Sequence, residues 1–391
     1  MHNLAGRRPA LHKRRRPHHC GGSNGSKNPT CDGYKQREWR GRPYAVLHAS
    51  QDNEDGGIHG GCVHRTCVLI AFAWCIAGLA ALICGAELVV RGGGRLAARL
   101  GISPLVIGLT FVALGTSAPE LAVGIEAAVQ GNGSLAVGNI AGTNIVNILL
   151  ILGLSALIAP LALRLQTLRF DLPVMVASAA ALMIMSWDGV LSRAEGGVLL
   201  GGAAVYTAVI IYLARRESGK IKQELQREYK AQSDENFLLT SGFNLAALML
   251  GIAVVVIGAH WLVDAAVELA VLARVSDAFI GLTIVAIGTS SPELVTTIVS
   301  TIRKERDIAI GNLLGSSVYN ILAILGITCL VPSGGVDVED SLIHIDIPVM
   351  TLVALVCIPV FMSGRCITRR EGGLFVAAYC VYFGYLVLAR T

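Results

Sequence analysis

Charge is what this chain has least of. Only 15% of its 391 residues are Asp, Glu, Lys or Arg, while 53% are hydrophobic. A soluble globular domain carries about 25% charged residues. A soluble fold built from this composition would need nearly every helix to be apolar all round, so that class is excluded. Paired cysteines are also missing. None of the ten cysteines stands in a C-x-x-C spacing, and they read as small apolar packing residues. Periodicity is absent from residues 1–64, which hold seven of the nine histidines and the run Lys13-Arg14-Arg15-Arg16. That composition cannot support a core. The expectation for 1–64 is a basic disordered tail, or translated upstream sequence with the start nearer Val63 or Val68. A polybasic arm that touches anionic lipid or nucleic acid and a metal tract at His18, His19 and Cys20 are the weaker readings. Nor is the tail a signal peptide, because the apolar stretch after it is too long and belongs to a repeat.

What is present is a series of apolar stretches of about 20 residues, enough to cross a bilayer as helices. Ten spans are expected, at 68–90, 102–129, 134–158, 170–188, 194–214, 238–271, 277–301, 307–331, 344–364 and 370–390. One polar linker, 215–236, separates 68–214 from 237–391. It is too short to fold alone.

The two sets of five spans are copies. Gly108-Leu109-Thr110 matches Gly281-Leu282-Thr283, and Pro119-Glu120-Leu121 matches Pro292-Glu293-Leu294. Gly138-Asn139 matches Gly311-Asn312, and Asn147-Ile148-Leu149 matches Asn320-Ile321-Leu322, each 173 positions apart. Further on, Asp171-Leu172-Pro173-Val174-Met175 matches Asp346-Ile347-Pro348-Val349-Met350. Because five is odd, the copies must enter the membrane in opposite senses. That is the inverted-repeat plan of secondary transporters, with the site near the midplane. The fold class expected is an all-α membrane protein of ten transmembrane helices in two inverted five-helix repeats. Basic residues crowd the loops after spans 1, 3, 5, 7 and 9, which puts those loops and the linker in the cytoplasm and both termini outside.

The chemistry sits in Gly115-Thr116-Ser117-Ala118-Pro119-Glu120 and its twin Gly288-Thr289-Ser290-Ser291-Pro292-Glu293. A carboxylate inside an apolar span is a functional hypothesis by default. Thr116 and Glu120 are four apart and share a helix face. Pro119 has no amide hydrogen, so the Gly115 carbonyl loses its helical partner, and Pro292 does the same to Gly288. A freed carbonyl, hydroxyls and a carboxylate are the hard oxygen ligands that calcium and sodium take. The following span of each half adds Thr143 and Asn147, with twins Ser316 and Asn320. Gly138 and Gly142, like Gly311 and Gly315, form small-xxx-small faces for close helix packing.

These two segments, Gly108 to Leu149 and Gly281 to Leu322, resemble the alpha-1 and alpha-2 repeats of the cation/calcium exchanger superfamily, in its prokaryotic-type calcium/sodium antiporter form. The resemblance covers essentially all of 68–391. It implies the sodium/calcium exchanger fold and transport of Ca²⁺ coupled to Na⁺, with no cofactor and no enzymatic activity. Carried over by position, it implies as ligands Ala113 (carbonyl), Thr116, Ser117, Glu120, Thr143 and Asn147, and Ala286 (carbonyl), Thr289, Ser290, Glu293, Ser316 and Asn320. One departure is plain: many sodium/calcium exchangers are acidic at the position of Asn320, and here both halves carry asparagine.

Three other readings compete. A proton/calcium antiporter would use the same carboxylates. An intramembrane serine hydrolase would pair Ser117 with His260, but the G-x-S-x-G context is missing around Ser117. A channel fits poorly with inverted repeats. The expected partners are calcium and sodium ions and the lipid bilayer, without nucleic acid. The chain is expected to work as a monomer in the plasma or bacterial inner membrane.

Overall fold

The structure, a computed structural model, describes the backbone of residues 60–228, 237–272 and 286–390, and the side chains of 68–216, 241–272 and 287–388. The expectations for residues 1–59, for the linker beyond Glu228 and for the Gly281 end of the seventh span lie outside the described residues. In chain order the elements are α1 (Gly60–Leu100), α2 (Pro104–Thr116), α3 (Ala118–Val129), α4 (Gly133–Ile158), β1 (Leu161–Ala162), α5 (Thr167–Asp188), β2 (Val190–Leu191) and α6 (Arg193–Glu228). The second half has α7 (Phe237–Leu272), α8 (Ala286–Thr289), α9 (Ser291–Ile302), α10 (Arg306–Leu330), β3 (Val336–Asp337), α11 (Leu342–Met362), β4 (Cys366–Ile367) and α12 (Arg369–Arg390). Among the described residues, eight helices are long and apolar enough to span a bilayer, and the bent pair α2–α3 makes a ninth. Its counterpart α8–α9 is described only from Ala286 onward. The linker differs from expectation at its start, since α6 continues as helix to Glu228.

Local sequence explains the ends. Ser103 caps α2, its hydroxyl accepting from the Leu105 amide at 3.2 Å, with Pro104 at the first helical position,. Asn132 caps α4 by accepting from the Leu135 amide. Gly335 turns into β3 with φ +89°, where an added Cβ would lie 2.6 Å from the Leu191 carbonyl.

Two short ribbons show that the repeats are inverted. β1, after the third span, pairs antiparallel with β4, which lies between the last two spans (Leu161↔Ile367). β2, one span later, pairs with β3 (Val190↔Asp337). In sequence the twin of β1 is β3, yet β1 and β3 are in different ribbons, separated by the α5 span. Equivalent loops therefore face opposite sides, and each loop meets a non-equivalent one from the other half.

The centre is built from α4 and α10, the two most buried of the spanning helices. Their glycines set the spacing. Gly108 and Gly311 sit back to back: a Cβ on Gly311 would lie 2.6 Å from the Leu105 carbonyl oxygen, and one on Gly108 would lie 2.8 Å from the Ile308 oxygen. Gly315 is as tight against Leu109 and Ala113, whereas Gly142 faces open space. The packing explanation therefore covers Gly311 and Gly315 and does not extend to Gly142. Around this centre, residues such as Ile184, Val381 and Leu388 are exposed. On a membrane-spanning fold those are lipid-facing positions.

Candidate functional site

Proline decides where the second span bends. Pro119 cannot continue the hydrogen-bond ladder, and the helix breaks at Ser117 (φ −82°, ψ 12°), turning by 42° between α2 and α3,. Ser290 repeats the break before α9 with φ −84° and ψ 5°. The glycines of both motifs serve a further need. A Cβ on Gly115 would run into Ile252 of α7, and one on Gly288 into Val263 of the same helix. A larger residue at either break would have to displace these α7 side chains. The freed-carbonyl expectation needs one correction. The Gly288 carbonyl accepts from the Ser291 hydroxyl at 2.7 Å, while the matching Ala118 offers Gly115 no hydroxyl.

The structure buries the sequence-derived residues of both halves and joins some of them across the repeats. Glu120, Glu293, Thr116, Ser117, Asn147, Ser316 and Asn320 have no solvent exposure, and Ser290 and Thr143 are also buried. The Ser117 hydroxyl of the first repeat donates to Glu293 Oε1 of the second at 3.0 Å. The Thr116 and Ser316 hydroxyls also approach that carboxylate. Ser316 further donates to the Ala113 carbonyl at 3.4 Å, so the backbone oxygen named by the resemblance lies at the junction of the repeats. Glu120 and Glu293 are near enough to feel each other's charge. Thr289 is half-buried, and Ala286 belongs to the described backbone only.

Hydrogen bonding inside the cluster is incomplete. Both carboxylate oxygens of Glu120, Glu293 Oε2, both amide atoms of Asn147, Asn320 Oδ1 and Ser290 Oγ are buried without a protein partner. No cationic side chain pairs with either glutamate among the described residues. A buried carboxylate without hydrogen bonds or a counter-charge is costly, by several kcal/mol at least on the order of magnitude known for buried ions. The two repeats together bury carboxylate, amide, hydroxyl and carbonyl oxygens, the donor types a hard cation takes.

Sequence reasoning passed over part of this network. The Thr116 hydroxyl donates to Asn312 Oδ1 at 3.1 Å, and the Asn312 amide donates to Thr297 at 3.1 Å. Asn320 donates to Asn144 Oδ1 at 3.5 Å, and Asn144 donates to the Met350 sulfur at 3.6 Å. Asn312 was visible as part of the repeated Gly-Asn pair; Asn144 and Thr297 were not, because their twins are Ser317 and Gly124. The duplicated aspartates also acquire partners. Tyr206 donates to Asp171 at 3.4 Å, and Tyr382 donates to Asp346 at 2.7 Å.

Glu87 and His260 make their ion pairs with other residues. Glu87 forms ion pairs with Arg91 at 2.6 Å and Arg303 at 2.7 Å. His260 is largely exposed and pairs with Asp264 at 3.4 Å. With Ser117 engaged by Glu293 and His260 paired elsewhere, the Ser117–His260 hydrolase reading has no geometric support.

Known proteins point the same way. The sequence profile described as sodium/calcium exchanger protein matches residues 70–212 and 243–388. The sodium/calcium exchanger MaX1 of Methanosarcina acetivorans is 31% identical, over 81% of this chain and 98% of that protein. The inner membrane protein YrbG of Escherichia coli is 38% identical, over 74% of this chain and 88% of that protein. The solved structure of the sodium/calcium exchanger from Methanococcus jannaschii superposes with a TM-score of 0.69 at 28% identity, covering 81% of this chain and 98% of that one.

Proposed function

Starting from the fact that the chain belongs to the sodium/calcium exchanger protein family, we propose that it exchanges calcium for sodium across the membrane by alternating access, with Glu120 and Glu293 as the charged ligands of one central site. The observation that carries this is the pair of fully buried carboxylates, one from each inverted repeat, with three of their four oxygens unpartnered. In this reading Ca²⁺ or Na⁺ supplies the missing counter-charge. With both glutamates ionised, the fixed charge of the cluster equals that of one Ca²⁺ or two Na⁺. The two cargoes therefore compete for the same ligands, which is the requirement for obligatory exchange.

Thr116, Ser117, Thr143 and Asn147, with Thr289, Ser290, Ser316 and Asn320, would complete the coordination with neutral oxygens. The Ala113 and Ala286 carbonyls would join them. Alternating access gains support from an asymmetry across the repeats. Ser117 bonds Glu293, while the equivalent Ser290 and Glu120 remain unbonded. A site whose two halves are equivalent in sequence but unequal in bonding suits a molecule that trades one closed half for the other.

The proposed setting is the plasma or bacterial inner membrane. The loops after spans 1, 3, 5, 7 and 9 and the linker would be cytoplasmic, and one chain would be the working unit. Calcium flux into proteoliposomes, with sodium, potassium and proton gradients imposed one at a time, tests the reading. Uptake driven by sodium alone is the expected result. Uptake driven only by protons would replace sodium as the coupling ion.

A further inference from the structure

An asparagine can help hold a cation only through its oxygen. Its NH₂ group, turned toward the ion, would repel it. A buried asparagine ligand therefore needs something to take up the NH₂ and keep the oxygen facing the ion. Aspartate has no such requirement, because either oxygen accepts. The matter is acute at Asn320, a neutral side chain with no solvent exposure.

The structure contains a partner suited to the task. Asn144 lies on α4 of the first repeat and Asn320 on α10 of the second, both buried. The Asn320 Nδ2 donates to Asn144 Oδ1 at 3.5 Å, and Asn320 Oδ1 is left buried and without a protein partner. Asn144 is itself held, its own Nδ2 lying 3.6 Å from the Met350 sulfur of α11. The other repeat provides an internal comparison. By sequence, the twin of Asn144 is Ser317 and the twin of Asn320 is Asn147. There the Ser317 hydroxyl and both amide atoms of Asn147 are buried and unpartnered. One asparagine of the pair is therefore oriented and the other is not.

We propose that Asn144 is a positioning residue that turns the Asn320 amide oxygen toward the transported cation and so lets a neutral side chain serve where a carboxylate otherwise would. This rests on the reading of Asn320 as a ligand. It also makes the two asparagines unequal: Asn320 is a fixed ligand, and Asn147 is one whose amide turns to suit the ion present.

The test is the calcium KM and maximal rate of sodium-driven uptake in proteoliposomes. Two variants withdraw the amide oxygen: Asn144→Leu, close to asparagine in size and without an acceptor, and Asn144→Ser, whose shorter hydroxyl copies the residue at the matching place of the other repeat and does not reach as far. Each is expected to raise the calcium KM about fivefold, the scale of one neutral hydrogen bond, with the maximal rate nearly kept. The same changes made together with Asn320→Asp are expected to shift KM less than about twofold, because a carboxylate needs no orienting. An unchanged KM in both single variants would overturn the proposal. So would an equal shift in the Asn320→Asp background, which would mark Asn144 as a packing residue only. Asn320→Ala separates the premise from the inference. If it leaves KM unaltered, Asn320 is no ligand and the inference falls with that reading. If it raises KM while both Asn144 variants do not, the ligand role stands and the positioning role alone is wrong.

Discussion

Ser117 and Glu293, one from each repeat, are joined by a hydrogen bond of 3.0 Å inside the cluster. The equivalent Ser290 hydroxyl has no partner. A hydrogen bond to a charged group is worth about 1.5–3 kcal/mol. Ser117→Ala is therefore expected to raise the calcium KM at least about tenfold. Ser290→Ala should cost clearly less in the same sodium-driven uptake assay. Equal losses would mean that the bond does not contribute to holding the ion.

Packing makes a separate prediction. Gly311→Ala pushes a methyl group into the Leu105 carbonyl and the Leu109 amide, backbone atoms that cannot step aside. Overpacking of this kind costs about 1–3 kcal/mol. Detergent-purified protein carrying Gly311→Ala should melt several degrees lower. Gly201→Ala, at a helical glycine with nothing within 4 Å, should not lower the melting temperature,.

Much of this was legible from the residues. Duplication in register exposed the inverted fold, because five spans repeated must reverse direction. Proline beside glutamate located both helix breaks, for the simple reason that the missing amide hydrogen is a local property of the chain. Contacts without a repeated signature stayed hidden. Asn144 and Thr297 have twins of a different kind, Ser317 and Gly124, so no internal comparison singles them out. The Ser291 bond to the Gly288 carbonyl has no repeated signature, because position 118 is alanine where 291 is serine. The close approach of the Ile252 and Val263 side chains of α7 to Gly115 and Gly288 shows only in three dimensions.

Orientation can be checked directly. Basic residues crowd one set of loops, including the linker, and the topology proposed from the positive-inside rule has that side in the cytoplasm. Single cysteines introduced at residues 220–230 should resist impermeant thiol reagents in intact cells and react after permeabilisation. Ready labelling in intact cells would turn the topology over.

Charge counting bears on stoichiometry. With Asn147 and Asn320 neutral, the fixed charge of the cluster comes from Glu120 and Glu293. A third Na⁺ would have only hydroxyl and carbonyl dipoles to offset it, at a cost of several kcal/mol unless they are well aimed. The membrane potential at which sodium-driven calcium flux reverses should fit two sodium ions per calcium. A value fitting three would show that the aligned dipoles suffice.

The central claim is that both buried glutamates hold the transported cation. Glu120→Gln and Glu293→Gln keep the size of each side chain and remove its charge, so the most direct measurement is sodium-gradient-driven uptake of radiolabelled calcium by each variant in proteoliposomes. Each variant is expected to reach the membrane at near-normal levels and to take up no calcium above the gradient-free background. Wild-type-like uptake by either one would show that the replaced glutamate does not hold the ion.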